Sequence, residues 1–339
     1  MADPAPRSLI PTGVPTGIPE RLDAFMARAN AAYYASHDPF ADFTTAPEIS
    51  QVFGEILGLW AAVTWEILGS PPRILLVEAG PGRGTLMADA LRAIGRAAPA
   101  FRAALTVHLI ETSPRLRAIQ ALRVPNAIWH DALSGVPDAP MVLLANEFLD
   151  ALPIRQFARR AEGWKERFVA QGEFTEMACA EPLPDAPEGA VLERCEPAVA
   201  FTRALAERFA RCPGAALFLD YGPEHSGFGD SLQALSAGRP AEPLNAPGTA
   251  DLTAHVDFAA LAAAARDGGA TVHGPMPQGL FLAELGLFQR TNRLARHLPP
   301  PRAAALMDAA RRLGEPNRMG RLFKALAVCS VGNSALPGF

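Results

Sequence analysis

The stretch Ile74-Leu75-Leu76-Val77-Glu78-Ala79-Gly80-Pro81-Gly82-Arg83-Gly84-Thr85-Leu86 decides the fold. Four consecutive apolar residues predict a fully buried parallel strand. Glu78 closes that strand, and glycines follow at alternate positions. Leu86, Met87, Ala90, Leu91 and Ile94 then recur at helical spacing, so the strand turns tightly into a helix. Glycines let the backbone approach a ligand closely, and a helix N-terminus offers free N–H groups to an anion. The pattern predicts a nucleotide-type cofactor site at the carboxyl end of the first strand of an open, doubly wound α/β sheet.

A dinucleotide fingerprint spaces its glycines G-x-G-x-x-G. Here Gly80, Gly82 and Gly84 are spaced G-x-G-x-G, with Glu78 two residues upstream. That motif resembles motif I of the class I S-adenosylmethionine (SAM) methyltransferases, whose sheet is Rossmann-like. The resemblance implies that Glu78, Gly80, Pro81, Gly82, Gly84 and Thr85 hold the amino-acid end of SAM. Leu105 to Ile110 predicts the next strand, and it ends in Glu111. A carboxylate there can accept both ribose hydroxyls, although NAD sites place an acid at the same point. Two bland readings stay open. The glycines can form a tight turn with no ligand, and Glu111 can be an exposed strand end before the helix start Thr112-Ser113-Pro114.

The composition sets bounds. The chain has 339 residues, 49% hydrophobic and 19% charged, as an ordinary globular protein does. A net charge of −4 argues against a mainly electrostatic grip on nucleic acid or anionic lipid. No apolar run approaches the ~18 residues of a membrane span, so no membrane insertion is expected. The N-terminus lacks a basic region followed by an apolar stretch, which argues against a secretory signal. Cys179, Cys195, Cys212 and Cys329 show no C-x-x-C pairing and no clustered histidines. Free thiols in a reducing compartment are expected, and no metal.

Along the chain, residues 1–18 predict a flexible tail and 19–72 a helical lid, with helices over Glu20–Tyr34 and from about Pro47 to Leu68. The polar, aromatic run between them breaks at Pro39 and Pro47, and Thr44 or Thr45 can cap the second helix. Residues 73–153 predict the SAM-binding half of the sheet. Its third strand, Ala127 to His130, ends at Asp131, a candidate for facing the adenine. Its fourth, Pro140 to Ala145, runs into Asn146-Glu147-Phe148-Leu149-Asp150. Residues 154–196 alternate with period two over three segments and predict a small antiparallel β insertion. Residues 197–339 predict the rest of the catalytic domain, with a fifth strand closed by Asp220-Tyr221 and a long loop over 222–252.

Ligands of such sheets bind at the carboxyl ends of the strands, where Glu78, Glu111, Glu147, Asp150 and Asp220 converge. Methyl transfer from a sulfonium needs alignment and, where required, a base. Glu147 and Asp150 suit a cationic nucleophile, because a carboxylate can grip a guanidinium bidentately. Asn146 is a further polar group at the cofactor. Thr249-Ala250-Asp251-Leu252-Thr253-Ala254-His255-Val256-Asp257 gathers two carboxylates and an imidazole, and His255 is a candidate general base. It can equally be a helix start.

Asp42-Phe43-Thr44-Thr45-Ala46-Pro47-Glu48-Ile49-Ser50-Gln51-Val52-Phe53-Gly54-Glu55 and the glycine loop resemble the MidA-type methyltransferases. So do Asn146 to Pro153, Gly248 to Phe258 and Gly274 to Leu282, in the family's order. The segment from Pro39 to Asp42 is a few residues shorter than the family's loop. The family includes the mitochondrial complex I assembly factor that methylates arginine. The resemblance implies a SAM-dependent protein arginine methyltransferase acting on a respiratory complex I subunit or similar protein, in the bacterial cytoplasm or, in a eukaryote, the mitochondrial matrix. It implies a protein partner, leaves a homodimer open, and points to Asp42, Thr44, Thr45, Glu48, Asp220, Tyr221, Asp251 and Asp257 at the substrate or the lid. Three alternatives remain: a small-molecule methyltransferase, a SAM-binding assembly chaperone without turnover and, remotely, an NAD-dependent dehydrogenase.

Overall fold

The computed structural model describes residues 18–37, 44–330, 332 and 335–339. Seven strands form the central sheet: β1 (Ile74–Ala79), β2 (Leu105–Ile110), β3 (Ile128–His130), β4 (Met141–Asn146), β5 (Gly214–Tyr221), β6 (Thr271–Pro277) and β7 (Phe323–Cys329). Their spatial order is β6-β7-β5-β4-β1-β2-β3. β1 and β4 are buried at every position, as an apolar run covered on both faces must be.

The alternation of strands and helices predicts a wholly parallel sheet. The structure differs at β7, which runs antiparallel to both β5 and β6. Helices Gln278–Glu284, Leu287–Ala295 and Pro300–Gly314 intervene before β7 and return the chain to the edge where β5 ends. The sequence reads as one helix over Leu280–Arg296; the structure makes it two, because Gly286 sits at φ +84 between them.

Two apolar layers cover the sheet. One contains Phe53, Trp60, Met87, Ile94 and Phe281, and the other contains Leu205, Phe209, Phe258 and Leu261. Strand order reverses between β1, which continues to β2, and β4, which pairs with β5. Ala79 pairs with Ala145 across that switch point, so Gly80 and Asn146 emerge side by side. A crevice opens there by the geometry of the connections.

The lid contains α1 (Leu22–Ser36), α2 (Ala46–Ile49) and α3 (Gln51–Ile67). The expected helix from Pro47 breaks at Ser50, an extended residue whose side chain caps α3 by accepting from the Val52 N–H. The β insertion has more strands than the three expected. Arg155–Arg160, Gly163–Ala170 and Glu173–Ala178 are joined by Val191–Arg194 and Glu20–Arg21. Where a long loop is expected over 222–252, Gln233–Ser236 and Arg239–Ala241 pair as a hairpin, and Asp251–Thr253 completes a three-stranded sheet. These strands are three or four residues long, too short to show a period in the sequence.

Candidate functional site

A cleft of about 710 Å³ opens at the switch point. Its floor is the turn from β1 into the helix Thr85–Ala97. Gly80, Gly82 and Gly84 have φ of +65, +53 and +77, the left-handed region that side chains disfavour. A Cβ on Gly80 would lie 2.8 Å from Phe148 Cδ2, so the backbone and Phe148 meet where only hydrogen fits. Gly80, Pro81, Gly82 and Thr85 line the cleft; Gly84 does not, and serves as the helix N-cap.

Glu78 is buried at the floor, and its Oε2 has no hydrogen-bond partner among the described residues. Burial pushes its carboxyl up to about 8, moderated by the Met87 backbone N–H. The buried Asn146 Oδ1 also lacks a partner. Unpaired buried acceptors cost free energy unless something outside the chain supplies a donor.

Glu111 closes the next wall. It accepts from the Ser113 N–H at 2.8 Å and from Gln120 Nε2 at 3.1 Å. Burial raises its pKa, and those donors offset part of the rise. Asp131 lines the far end, exposed, with Arg117 Nη2 at 2.6 Å. Two residues in this wall escape sequence reasoning. Gln120 is fully buried; its amide reaches the Gly82 carbonyl at 2.8 Å and accepts from Trp129 Nε1 at 2.8 Å. It ties the glycine turn to Glu111. Tyr34 lines the cleft from α1 and donates to Asp251 at 2.8 Å. A lone Gln or Tyr on an amphipathic helix carries no signal that separates it from ordinary packing.

Glu147 follows β4 at φ +48, a strained conformation for a residue with a side chain. Its Oε1 accepts from the Ala46 N–H of α2 at 2.8 Å and from Asn146 Nδ2 at 3.0 Å. Both bonds fall on one oxygen. Burial raises its pKa to about 7, despite those donors, and the nearby Asp150 adds to the rise. The carboxyl borders the cleft, so a cation arriving there would be held by a poorly solvated carboxylate. The lid is also latched to the floor: Glu48 Oε1 accepts from Thr85 Oγ1 at 2.5 Å and lies 3.7 Å from Arg123. Thr45 and Glu48 line the cleft. Thr44 is exposed outside its lining, and Asp42 lies outside the described residues.

Other expected residues do not reach the cleft. Asp150 is buried and accepts from Tyr221, which also pairs with Thr253. Asp220 accepts the backbone N–H groups of Phe148, Leu149 and Asp150 at 2.9 to 3.2 Å. It shapes the Glu147 turn from beneath. Burial raises the Asp150 carboxyl to about 6, and burial together with repulsion from Asp150 and Glu147 raises Asp220 well above the usual range. Asp251 takes the Tyr34 hydroxyl, and Asp257 caps the helix Phe258–Asp267 through the Ala260 N–H. His255 is exposed, with its ring edge-on to Tyr221 at 5.6 Å, and does not line the cleft. The geometry therefore gives no support to His255 as the base or to Asp150 as a clamp in contact with substrate.

A family model for S-adenosyl-L-methionine-dependent methyltransferases matches residues 56–276. The chain belongs to this methyltransferase family. It is 34% identical to the mitochondrial protein arginine methyltransferase NDUFAF7 of Mus musculus, with 93% of this chain and 81% of the relative covered. Identity to the Drosophila melanogaster homologue is 33%, covering 94% and 82%. The fold is similar to a superfamily member from Burkholderia thailandensis solved with S-adenosyl-homocysteine, at TM-score 0.80 and 28% identity over 95% of this chain and 90% of that one. A native structure from the same organism matches at TM-score 0.79 and 29% identity, with the same coverage.

This methyltransferase uses SAM. The cleft fits that cofactor: Glu78 Oε2 and Asn146 Oδ1 are buried acceptors without donors, and SAM carries an ammonium. Glu111 offers a carboxylate where ribose hydroxyls can donate. Among the described residues, no helix is long and apolar enough to cross a membrane.

Proposed function

We propose that this methyltransferase modifies an arginine guanidinium in a protein, with a respiratory complex I subunit as the target class. The observation that carries the reading is Glu147. Its Oε1 is engaged by Ala46 and Asn146, and Oε2 takes no donor among the described residues. A guanidinium donor can complete that pattern, and a charged hydrogen bond in such a site adds about 1.5–3 kcal/mol. The curated relatives named above are protein arginine methyltransferases, which supports the same substrate class.

In this reading Glu78 and the glycine turn hold the amino-acid end of SAM, Glu111 its ribose and Asp131 its adenine edge. The cofactor supplies an activated methyl group. Glu147 would orient one guanidinium nitrogen toward the methyl group that the bound cofactor would supply. The nitrogen then sheds a proton, which Glu147 can take because its raised pKa makes it a competent acceptor near neutral pH. α2 walls the cleft through Pro47 and Glu48.

Incubating the protein with a lysate and methyl-labelled SAM, followed by mass mapping of the acceptor, tests the proposal. Label on an arginine of a protein supports it. Label on a small molecule or on another side chain refutes it.

A further inference from the structure

A second cavity, of about 810 Å³, lies at the same edge of the sheet. It is lined by Glu224, His225, Arg318, Arg321 and Lys324, among others. Lys324 is the second residue of β7 and pairs in register with Asp220 near the end of β5. β7, β5 and β4 are successive neighbours. With strands about 4.8 Å apart, the cavity stands roughly 10 Å from the turn that carries Glu147.

Its charge is unbalanced. Arg318 is engaged by Asp308 at 3.0 Å and Glu315 at 3.7 Å. Arg321 is exposed and has no ion-pair partner among the described residues. Lys324 is only 6% exposed, and its ammonium donates to the Arg321 carbonyl at 2.5 Å and the Leu322 carbonyl at 3.2 Å. Those two acceptors fix the ammonium without neutralising it, and a third N–H is left over. Burial depresses its pKa, and Glu224, the one acid in the lining, offsets part of that. Two cations against one carboxylate make a site short of an anion.

We propose that this cavity is an anion-recognition subsite for the substrate polypeptide. It takes a carboxylate or phosphate carried about three residues from the target arginine. The spacing follows from the geometry, since ~10 Å is three residues of extended chain at about 3.3 Å each. This inference rests on the arginine reading above. An arginine with an anionic neighbour matches an acidic hollow beside a basic one; a run of arginines does not.

The test uses fluorescein-labelled Gly/Ala peptides with a single Arg. One set carries Glu three residues before or after it, a second carries Gln there, and a third phosphoserine. Each is titrated by anisotropy against the full chain with S-adenosyl-homocysteine, and methyl transfer from SAM is measured in parallel. The Glu peptide at one of the two positions is expected to bind about tenfold tighter than its Gln counterpart. Arg321→Glu, on the surface, is expected to abolish that preference, and Lys324→Met to weaken it. Tighter binding of phosphoserine than Glu would also support the subsite and identify phosphate as its preferred anion. Equal affinity for Glu and Gln peptides at both positions, a preference that survives Arg321→Glu, or no binding at all would overturn it. A Glu preference without methyl transfer keeps the subsite and removes the arginine reading; methyl transfer without the preference does the reverse.

Discussion

Glu78→Gln separates the cost of the cofactor cradle from its use. The Glu78 carboxyl is 3% exposed and held at about 8, against an ordinary 4.5. The unfolded chain releases this proton near pH 4.5, whereas the folded chain keeps it until about pH 8. A raised folded pKa means stability present at low pH and lost as pH rises between those two values. At pH 7 the loss covers 7 − 4.5 = 2.5 units, or about 3 kcal/mol at 1.36 kcal/mol per unit. Gln resembles the protonated form and does not titrate. The free variant is therefore expected to match the parent below about pH 4.5 and to exceed it by about 3 kcal/mol at pH 7. Cofactor affinity should move the other way. Only the ionised carboxylate pairs with the SAM ammonium, and its population rises on the order of 50-fold between pH 6 and pH 8 for a pKa of about 8. The parent's affinity should climb over that window, and the variant's should be weaker and flat. Denaturant unfolding across pH 5 to 8 reads the first effect, and calorimetric titration with S-adenosyl-homocysteine reads the second. A variant with the parent's pH slope of stability, or with its affinity, would refute this role for Glu78.

Three further outcomes follow from the same geometry. Glu147→Gln is expected to leave SAM affinity within about twofold while lowering kcat/KM for the arginine substrate by about 10- to 100-fold; in the parent kcat/KM should fall as pH drops below about 7, where Glu147 protonates, and a variant with the parent's rate would remove the clamp. Gly80→Ala places a Cβ 2.8 Å from Phe148 at φ +65, so it should cost about 1–2 kcal/mol of stability and weaken SAM binding; unchanged thermal unfolding and titration would contradict that. Asp150→Asn relieves the repulsion with Asp220 and can still accept from Tyr221, so stability above about pH 6 should rise and methyl transfer should persist; loss of turnover with an intact fold would put Asp150 back among the substrate contacts.

The sequence yields the sheet because buried parallel strands are written as unbroken apolar runs: Ile74 to Val77 and Met141 to Ala145 need no partner to be recognised. Glycines at positive φ are equally legible, since Gly80, Gly82 and Gly84 have no other reason to alternate. The direction of β7 is not legible, because a strand's own sequence does not record which way its neighbours run. The strands inside 222–252 hide for a different reason: each is only three or four residues long, and Pro240 sits in one of them.

At the site, residues at strand ends are legible as neighbours because topology brings strand ends together. Glu78, Glu111, Asp131, Asn146 and Glu147 all border the cleft. Asp150 and Asp220 are a step further on, and there proximity in sequence misleads. Asp220 turns under Glu147 to satisfy three backbone donors, and Asp150 turns toward Tyr221. A polar residue after a strand can serve the ligand or the turn, and only packing decides. His255 looks like a base in isolation and lies outside the cleft because the chain's return through Asp251–Thr253 carries it there.

The most direct measurement of the central claim is a crystal structure with S-adenosyl-homocysteine and an arginine-containing peptide. The account predicts the ammonium on Glu78, the ribose on Glu111, and the thioether sulfur facing a guanidinium held by Glu147 Oε2. Cofactor density outside the glycine turn, or a guanidinium seated away from Glu147, would contradict it.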